Sequence, residues 1–223
     1  MSITIKDAEN MVDNVRKRWI VLGRKPETLY MYDNHIKGAA VVAKTIATHL
    51  GSMNPEQAYV CAFLHDIAKI DESPESMLGR FHGILGYEML KSKDSAVARA
   101  CLLHEIPLNR ITKHTEAKFL GNTKDFDFVV DFISNTSLTD EDMLIQLSDG
   151  MANKDGIVKL EQRQEEYEAR FNKKLPPEFT EPYLEIKAYF DKKLGFNLYE
   201  LFPSLNQNSR NTYKIVTENI RSR

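Results

Sequence analysis

The chain has 223 residues, 42% of them hydrophobic, and a formal net charge of -2 at pH 7. This length and apolar content favour a folded domain with its own core and exclude an intrinsically disordered chain. The near-neutral charge argues against a nucleic-acid polymer or a membrane as partner, and no apolar run approaches the roughly 18 residues of a membrane span.

Helical periodicity dominates the first third of the chain. The apolar spacing predicts helices over residues 7–22 and 35–50, the second capped by Asp33 or Asn34. The strongest start signal comes next: Asn54 caps a helix, Pro55 suits its first position and Gln57 reaches back to the cap. This helix is predicted to extend as far as Lys69. The residues that share one of its faces are Ala58, Cys61, Ala62, His65 and Lys69.

The later elements are also predicted to be helical. A polar loop over residues 71–76 precedes a helix near 82–91 and another that begins at Asp94 and must stop near Pro107. Residues 109–127 are predicted to form a long loop with short helical turns, a length at which loops are commonly functional. The run Thr139–Asp142 resembles a capping box that opens a helix through Asp149. Helices over about 157–171 and 181–194 follow, and no segment alternates in the manner of a strand.

The pair His65-Asp66 lies inside an apolar helical run and is the most informative feature of the sequence. Burying an ionised carboxylate without compensation is strongly unfavourable, and a divalent metal is the simplest compensation. Adjacent residues on a helix diverge by about 100°. Two arrangements are therefore possible. In one, both side chains flank a single metal ion from one side. In the other, Asp66 bridges two metal ions while His65 holds one of them. Ligands from several helices of a bundle can converge on one site. The candidate ligands in chain order are His35, His65, Asp66, His82, His104 and Asp149.

This order of residues resembles the HD superfamily of metal-dependent phosphohydrolases, over roughly residues 20–155. The segments that carry the resemblance are Asn34-His35, Leu64-His65-Asp66-Ile67-Ala68-Lys69, His82-Gly83-Ile84-Leu85-Gly86-Tyr87-Glu88, Leu102-Leu103-His104-Glu105 and Leu147-Ser148-Asp149. The resemblance implies an all-α fold, an HD-domain helical bundle with a C-terminal helical extension. It places a single domain over residues 1–200, with its core at about 20–155, and a polar tail over 201–223.

The resemblance also implies which residues hold metal. The first ion would be held by His35, His65, Asp66 and Asp149. The additional pair, His82 and His104, matches the subset of the family with a second ion. Because all of these ligands are nitrogen or oxygen donors, the one or two ions would be Fe, Mn, Co or Zn.

The expected reaction is hydrolysis of a nucleotide or another small phosphorylated metabolite by a metal-activated water. Asp66 would orient that water. Lys69 would hold a phosphate oxygen, unless it is a solvated lysine at the helix end. Arg80 could reach a phosphate from its loop, and His114 is either a surface residue or a further phosphate contact.

Other activities stay open at this level. Bacterial diadenosine-polyphosphate hydrolases of the superfamily look similar to this chain, and so do its di-iron oxygenases acting on inositol or aminophosphonates. A di-iron oxygenase and a non-catalytic metal or nucleotide sensor are therefore the alternatives to a phosphohydrolase, because fold and ligands do not decide the reaction.

The remaining features concern the protein's surroundings. Cys61 and Cys101 lie in apolar segments without metal-type spacing and are predicted to be small core residues. His49 lies at a helix end, where a cation suits the helix dipole, and is predicted to be structural. The first residues do not form a signal peptide, and with the two cysteines this predicts a cytoplasmic protein. The sequence leaves a homodimer open.

Overall fold

The computed structural model describes residues 2–72, 80–119 and 122–206, and within these ranges the chain is almost entirely helical. The α-helices are α1 (Ile5–Val21), α2 (Pro26–Leu50), α3 (Pro55–Leu64), α4 (His82–Leu90), α5 (Ser95–Leu103), α6 (Lys113–Ala117), α7 (Thr123–Ser134), α8 (Asp140–Gly150), α9 (Leu160–Phe171) and α10 (Pro177–Leu194). Short 3-10 segments lie at Lys69–Glu72, Pro107–Asn109, Leu198–Leu201 and Pro203–Asn206. The prediction of an all-α fold is confirmed.

The long helix α2 runs through the middle of the bundle and packs against α3 and α8. It presents small side chains to its neighbours, among them Ala39, Ala40 and Ala43, and all three are fully buried. Small residues let helix axes approach closely, so the segments that follow α3 and α8 lie next to the face of α2. A second apolar cluster joins α4, α5 and α7. Its buried members are Phe81, Ile84, Leu102, Leu103, Ile106, Phe119 and Val129.

Side-chain caps begin several of these helices, as the sequence predicts. The Asn54 side chain accepts hydrogen bonds from the backbone of Glu56 and Gln57, at the start of α3. Thr139 and Asp142 form a reciprocal capping box at the start of α8. Such local signals work because each cap satisfies backbone N–H groups that a helix leaves without partners in its first turn.

Two helix boundaries in the first half differ from prediction. Helix α2 begins at Pro26, so neither Asp33 nor Asn34 caps it and His35 lies inside the helix. Helix α3 ends at Leu64 rather than continuing to Lys69. After it the backbone turns, with the N–H of Lys69 donating to the carbonyl of Asp66. His65 and Asp66 therefore lie in a turn, which frees both side chains from the divergence of adjacent helical positions.

Later elements also depart from prediction. The segment over residues 109–127 was expected to be a long loop with short helical turns; the five-residue α6 fits this, whereas α7 begins at Thr123, inside the segment. A two-stranded antiparallel ribbon, Ala152–Asn153 with Gly156–Ile157, follows α8 where no strand was expected. Helix α10 begins at Pro177, which suits a first helical position, and is longer than predicted. The end of the predicted polar tail, residues 207–223, lies outside the described ranges.

The C-terminal helices cover α8. Helix α10 packs on α8 and buries Ile186 and Phe190. The Tyr189 hydroxyl donates to Asp140 over 2.5 Å, and this contact ties α10 to the start of α8. Across the described ranges, none of the helices has the length and apolar character needed to span a bilayer.

Candidate metal centre

Six side chains converge where α2, α4 and α8 meet the turns after α3 and α5. They are the six residues that the sequence indicates as ligands: His35, His65, Asp66, His82, His104 and Asp149. Three of the histidines, His65, His82 and His104, are only 1% exposed. The structure thus brings together residues from five separate segments at one buried point.

The first group of ligand atoms, here called the first triad, consists of His35, His65 and Asp149. The Nε2 atoms of the two histidines are 3.1 Å apart. Asp149 Oδ1 lies 3.1 Å from His35 Nε2 and 3.7 Å from His65 Nε2. Three donors at these separations, directed toward one point, are suited to hold a divalent cation.

The second triad consists of His82, His104 and Glu105. The histidine Nε2 atoms are again 3.1 Å apart, and one carboxylate oxygen of Glu105 lies within 4.8 Å of the ligand atoms of both. Sequence reasoning assigned no role to Glu105. Its position directly after His104 was the available signal, but nothing in the spacing distinguishes it from an ordinary charged residue at a helix end.

Asp66 lies between the two triads. Its Oδ2 is 3.7 Å from the Nε2 atoms of both His35 and His65. Its Oδ1 is 2.9 Å from His82 Nε2 and 3.3 Å from His104 Nε2. Of the two arrangements open from the sequence, this geometry favours the one in which Asp66 bridges two positions.

The Oδ1 atom of Asp66 provides a test of whether a metal fits. It is buried and accepts no hydrogen bond within the described ranges, although His82 Nε2 and His104 Nε2 lie 2.9 and 3.3 Å away. A buried carboxylate oxygen without a hydrogen bond costs free energy that a cation beside it would remove. The residues present therefore fit a divalent metal.

Backbone carbonyls orient three of the histidines. The Nδ1 atoms of His35, His65 and His104 lie 3.1, 2.6 and 2.8 Å from the carbonyl oxygens of Ala152, Ala62 and Cys101 respectively. We assign the proton to Nδ1 in each ring, since only an N–H can donate to a carbonyl. The Nε2 lone pairs then face the centre, which is the arrangement found around metal-binding histidines. The ribbon after α8 supplies one of these carbonyls.

Burial and charge set the protonation of the ligands. Burial lowers the pKa of His65 to about 4, so this ring is neutral at pH 7. Burial alone would raise the pKa of Asp66, but two neighbours hold it well below its ordinary value: His65, which is protonated at the low pH where this carboxylate titrates, and the charge of Lys69. The pKa of Asp149 is likewise lowered despite burial, chiefly by its contact with the ring of His35. Ionised carboxylates and a neutral imidazole are the forms that bind metal.

His82 differs from the other histidines. Burial and the charge of Lys69 oppose its protonation, but the carboxylates of Asp66 and Glu105 outweigh them and raise the pKa of His82 to about 9. A cation entering the second triad would therefore displace a proton from this ring.

A cavity of about 400 Å³ opens beside the centre. His35, Asp66 and Asp149 line it, whereas the other three ligands lie behind them. Its walls also carry several positively charged side chains, which are Lys69, Arg110, Lys118, Lys154, Arg163 and Arg170. A volume of this size accommodates a small metabolite, and the cationic lining suits an anionic one.

Of the residues expected to bind substrate, Lys69 lies in the cavity wall and Arg80 does not. Lys69 lines the cavity, with its Nζ 3.2 Å from His82 Nδ1 and 3.7 Å from Glu105 Oε1. Arg80 was expected to reach a phosphate, but its guanidinium is held by two carboxylates, Asp125 at 2.7 Å and Glu88 at 2.9 Å, and is not part of the cavity lining. The side chain of His114 lies outside the part of the chain that the structure describes.

Several cavity residues were not found from the sequence. These residues are Lys118 at the end of α6, Arg163 on α9 and Tyr183 on α10. All three are far along the chain from His65 and Asp66. No spacing rule connects them with His65 and Asp66, because only tertiary packing, which includes the docking of α9 and α10, brings them there.

Comparison with known proteins agrees with this geometry. The family model described as HD domain matches residues 32–154 of the chain. That segment contains all six of the ligands predicted from the sequence and more than half of the chain. The chain matches no curated protein and no solved structure at a significant level. The chain therefore belongs to the HD domain family, in which divalent-metal binding and hydrolase-type chemistry are common.

Proposed function

We propose that this protein is a metal-dependent phosphohydrolase acting on a nucleotide or another small phosphorylated metabolite. The observation that carries the proposal is the position of Asp66 between two histidine pairs, at the end of a cavity with cationic walls. A phosphate ester is a small anion whose hydrolysis needs both an activated water and compensation of charge on phosphorus-bound oxygens.

The two triads support binding of two ions with Asp66 as the bridge. The first triad and Asp66 Oδ2 would hold one ion, and the second triad and Asp66 Oδ1 the other. In two-metal sites the ions are roughly 3.5–4 Å apart. The donors are all nitrogen or oxygen, which suits Fe, Mn, Co or Zn.

When bound, such ions lower the pKa of water and offset negative charge on a phosphoryl oxygen. The chain's own residues act around that chemistry. Asp66, which lines the cavity between the two triads, would orient the attacking water. Lys69 lines the cavity beside the second triad and binds a phosphoryl oxygen as a compact positive charge.

Phosphate release tests the proposal. Protein purified without chelators is loaded with Mn or Co and assayed against nucleotides and sugar phosphates. Lys69→Ala should lower kcat by about 10²-fold with unchanged metal content, the size typical of one lost electrostatic contact. Lys69→Arg should rescue only in part, because a planar guanidinium does not replace an ammonium. Lys44→Ala, an exposed lysine on α2, serves as the matched control. Absence of phosphate release from the whole panel would overturn the proposal.

The second candidate is a di-iron oxygenase, and it rests on the donor set of four histidines with a bridging carboxylate, which is compatible with iron. The cationic cavity walls suit a phosphate ester and an anionic aminophosphonate alike, so the two activities are separated by assay. Oxygen uptake by Fe(II)-loaded protein, dependent on an added substrate and without phosphate release, would decide for the oxygenase. The size of the cavity argues against a sensor without room for a substrate.

A further inference from the structure

A tyrosine of α10 lies against the end of α8, next to a ligand of the first triad. The ring of Tyr183 packs on Gly150, the residue that follows Asp149. A Cβ at Gly150 would lie 2.8 Å from Tyr183 Cδ1 and 3.0 Å from its Cε1, closer than a side chain tolerates. The absence of a side chain at Gly150 is thus what lets the ring lie beside the metal centre.

Tyr183 lines the same cavity as His35, Asp66 and Asp149 of the metal centre. Burial raises the pKa of Tyr183 well above its ordinary value, and the carboxylates of Asp149 and Glu105 raise it further, against a smaller effect of Arg163. A phenol with an ordinary pKa near 10 is already protonated at neutral pH, so this group can donate a hydrogen bond.

The cavity has room for a phosphate ester beside Tyr183. The metal centre faces it through His35, Asp66, Asp149 and Glu105. Away from the centre, one wall is formed by residues of α9 and α10, and other walls by residues of α1, α2 and the segment 107–118. With its phosphoryl group at the centre, a substrate that extends its remaining part along the wall of α9 and α10 would bring its leaving oxygen to the side of the cavity that Tyr183 lines.

We infer that Tyr183 donates a hydrogen bond to the oxygen that leaves phosphorus, an inference that rests on the proposed phosphohydrolase function. During hydrolysis the bond between phosphorus and that oxygen breaks, and its electron pair stays on the leaving oxygen. Water supplies the hydroxyl that phosphorus gains and the proton that the leaving oxygen gains. Tyr183 keeps its own proton throughout and stabilises the negative charge that grows on the leaving oxygen. This residue lies outside the segment matched by the family model, so the contribution comes from the C-terminal extension.

The test compares two kinds of ester in Tyr183→Phe, which removes the hydroxyl and retains the ring on Gly150. A good leaving group, as in p-nitrophenyl phosphate, needs little help, whereas the alkyl oxygens of AMP and glucose 6-phosphate need a donor. Tyr183→Phe should lower kcat for the hydrolysed alkyl esters by about 10²-fold and for the aryl ester by less than about 5-fold. Metal content and melting temperature should equal those of the wild type.

The matched control is Tyr189→Phe on the same helix, whose hydroxyl donates to Asp140 and is not part of the cavity lining. This variant should hydrolyse both kinds of ester at the wild-type rate. Equal losses on aryl and alkyl esters in Tyr183→Phe, or no loss, would overturn the role at the leaving oxygen while the wild type remains a phosphohydrolase. A wild-type protein inactive on every ester would instead overturn the proposed function, and the inference with it.

Discussion

Removing one histidine pair should remove one metal ion. In His82→Ala/His104→Ala the second triad keeps only Glu105, whereas the first triad and Asp66 Oδ2 are untouched. The wild type should bind two ions per chain and the double variant one. Asp66→Ala should lose most of both, because its two oxygens face both triads.

The size of the expected effect is given by the rise in melting temperature that bound metal causes. An ion present at 100 times its dissociation constant stabilises the native state by about 2.7 kcal/mol. For a chain of this size about 1 kcal/mol shifts the melting temperature by roughly 2–4 °C. Two ions should thus raise the wild-type melting temperature by roughly 11–22 °C over the metal-free protein, and the double variant should gain about half as much.

The assay combines elemental analysis of dialysed protein with melting curves, recorded with Mn and with a chelator. The rise caused by metal is compared, not the absolute melting temperature, because replacing two buried rings also leaves cavities. His49→Ala is the control, since this exposed histidine lies on α2 and bonds only the carbonyl of Thr45 in the described structure. The two-triad arrangement would be refuted if the double variant bound two ions and showed the full metal-dependent rise in melting temperature. It would also be refuted if Asp66→Ala kept full metal occupancy.

Further predictions concern pH, packing and thiols. Without metal the protein should be most stable near pH 6.5, the ordinary histidine pKa. As pH falls from 6.5 toward 4, stability should fall, because His65 is protonated in the unfolded chain but stays neutral when buried. As pH rises from 6.5 toward 9, stability should also fall, because His82 binds its proton more tightly in the folded protein than in the unfolded chain. Urea midpoints that rise steadily across this range would contradict this. Gly83→Ala would put a Cβ 2.7 Å from the carbonyl oxygen of Cys101 and should lower the free energy of unfolding by about 1–3 kcal/mol, measured in urea. Burial raises the pKa of Cys61 to about 12 and that of Cys101 well above its usual range, so Ellman's reagent at pH 8 should label neither thiol before the protein unfolds.

The parts of the fold that the sequence predicts are those set by local interactions. Asn54 and Thr139 each bond backbone groups two or three residues away, so their helix starts can be recognised from the chain alone. A similar signal was present at Pro26, which suits a first helical position, and it marks the true start of α2.

The end of α3 shows where local reasoning fails. The residues from Ala62 to Lys69 have the apolar spacing of a helix, yet the helix ends at Leu64. His65 and Asp66 are held in the turn by contacts with residues far along the chain, such as His35 and His82. Tertiary contacts therefore outweigh the local helical preference at this position.

The order of the candidate ligands could be recognised because each stands in a short characteristic segment, but the cavity could not be predicted. Arg80 could not be excluded from the sequence, because its partner Asp125 lies 45 residues away. Tyr183 could not be found for the corresponding reason. Its relation to Asp149 exists only once α10 has docked on α8.

The scatter of the ligands along the chain has a consequence for how the protein matures. They extend from residue 35 to residue 149 on five segments, and an unfolded chain would have to close several long loops to gather them around an ion. If the proposed site binds two ions, the helices should dock first, and the ions should enter a centre that already exists. Once bound, the ions connect these segments like cross-links. They should slow global unfolding far more than they speed folding, because the chain has to release them before the helices can separate.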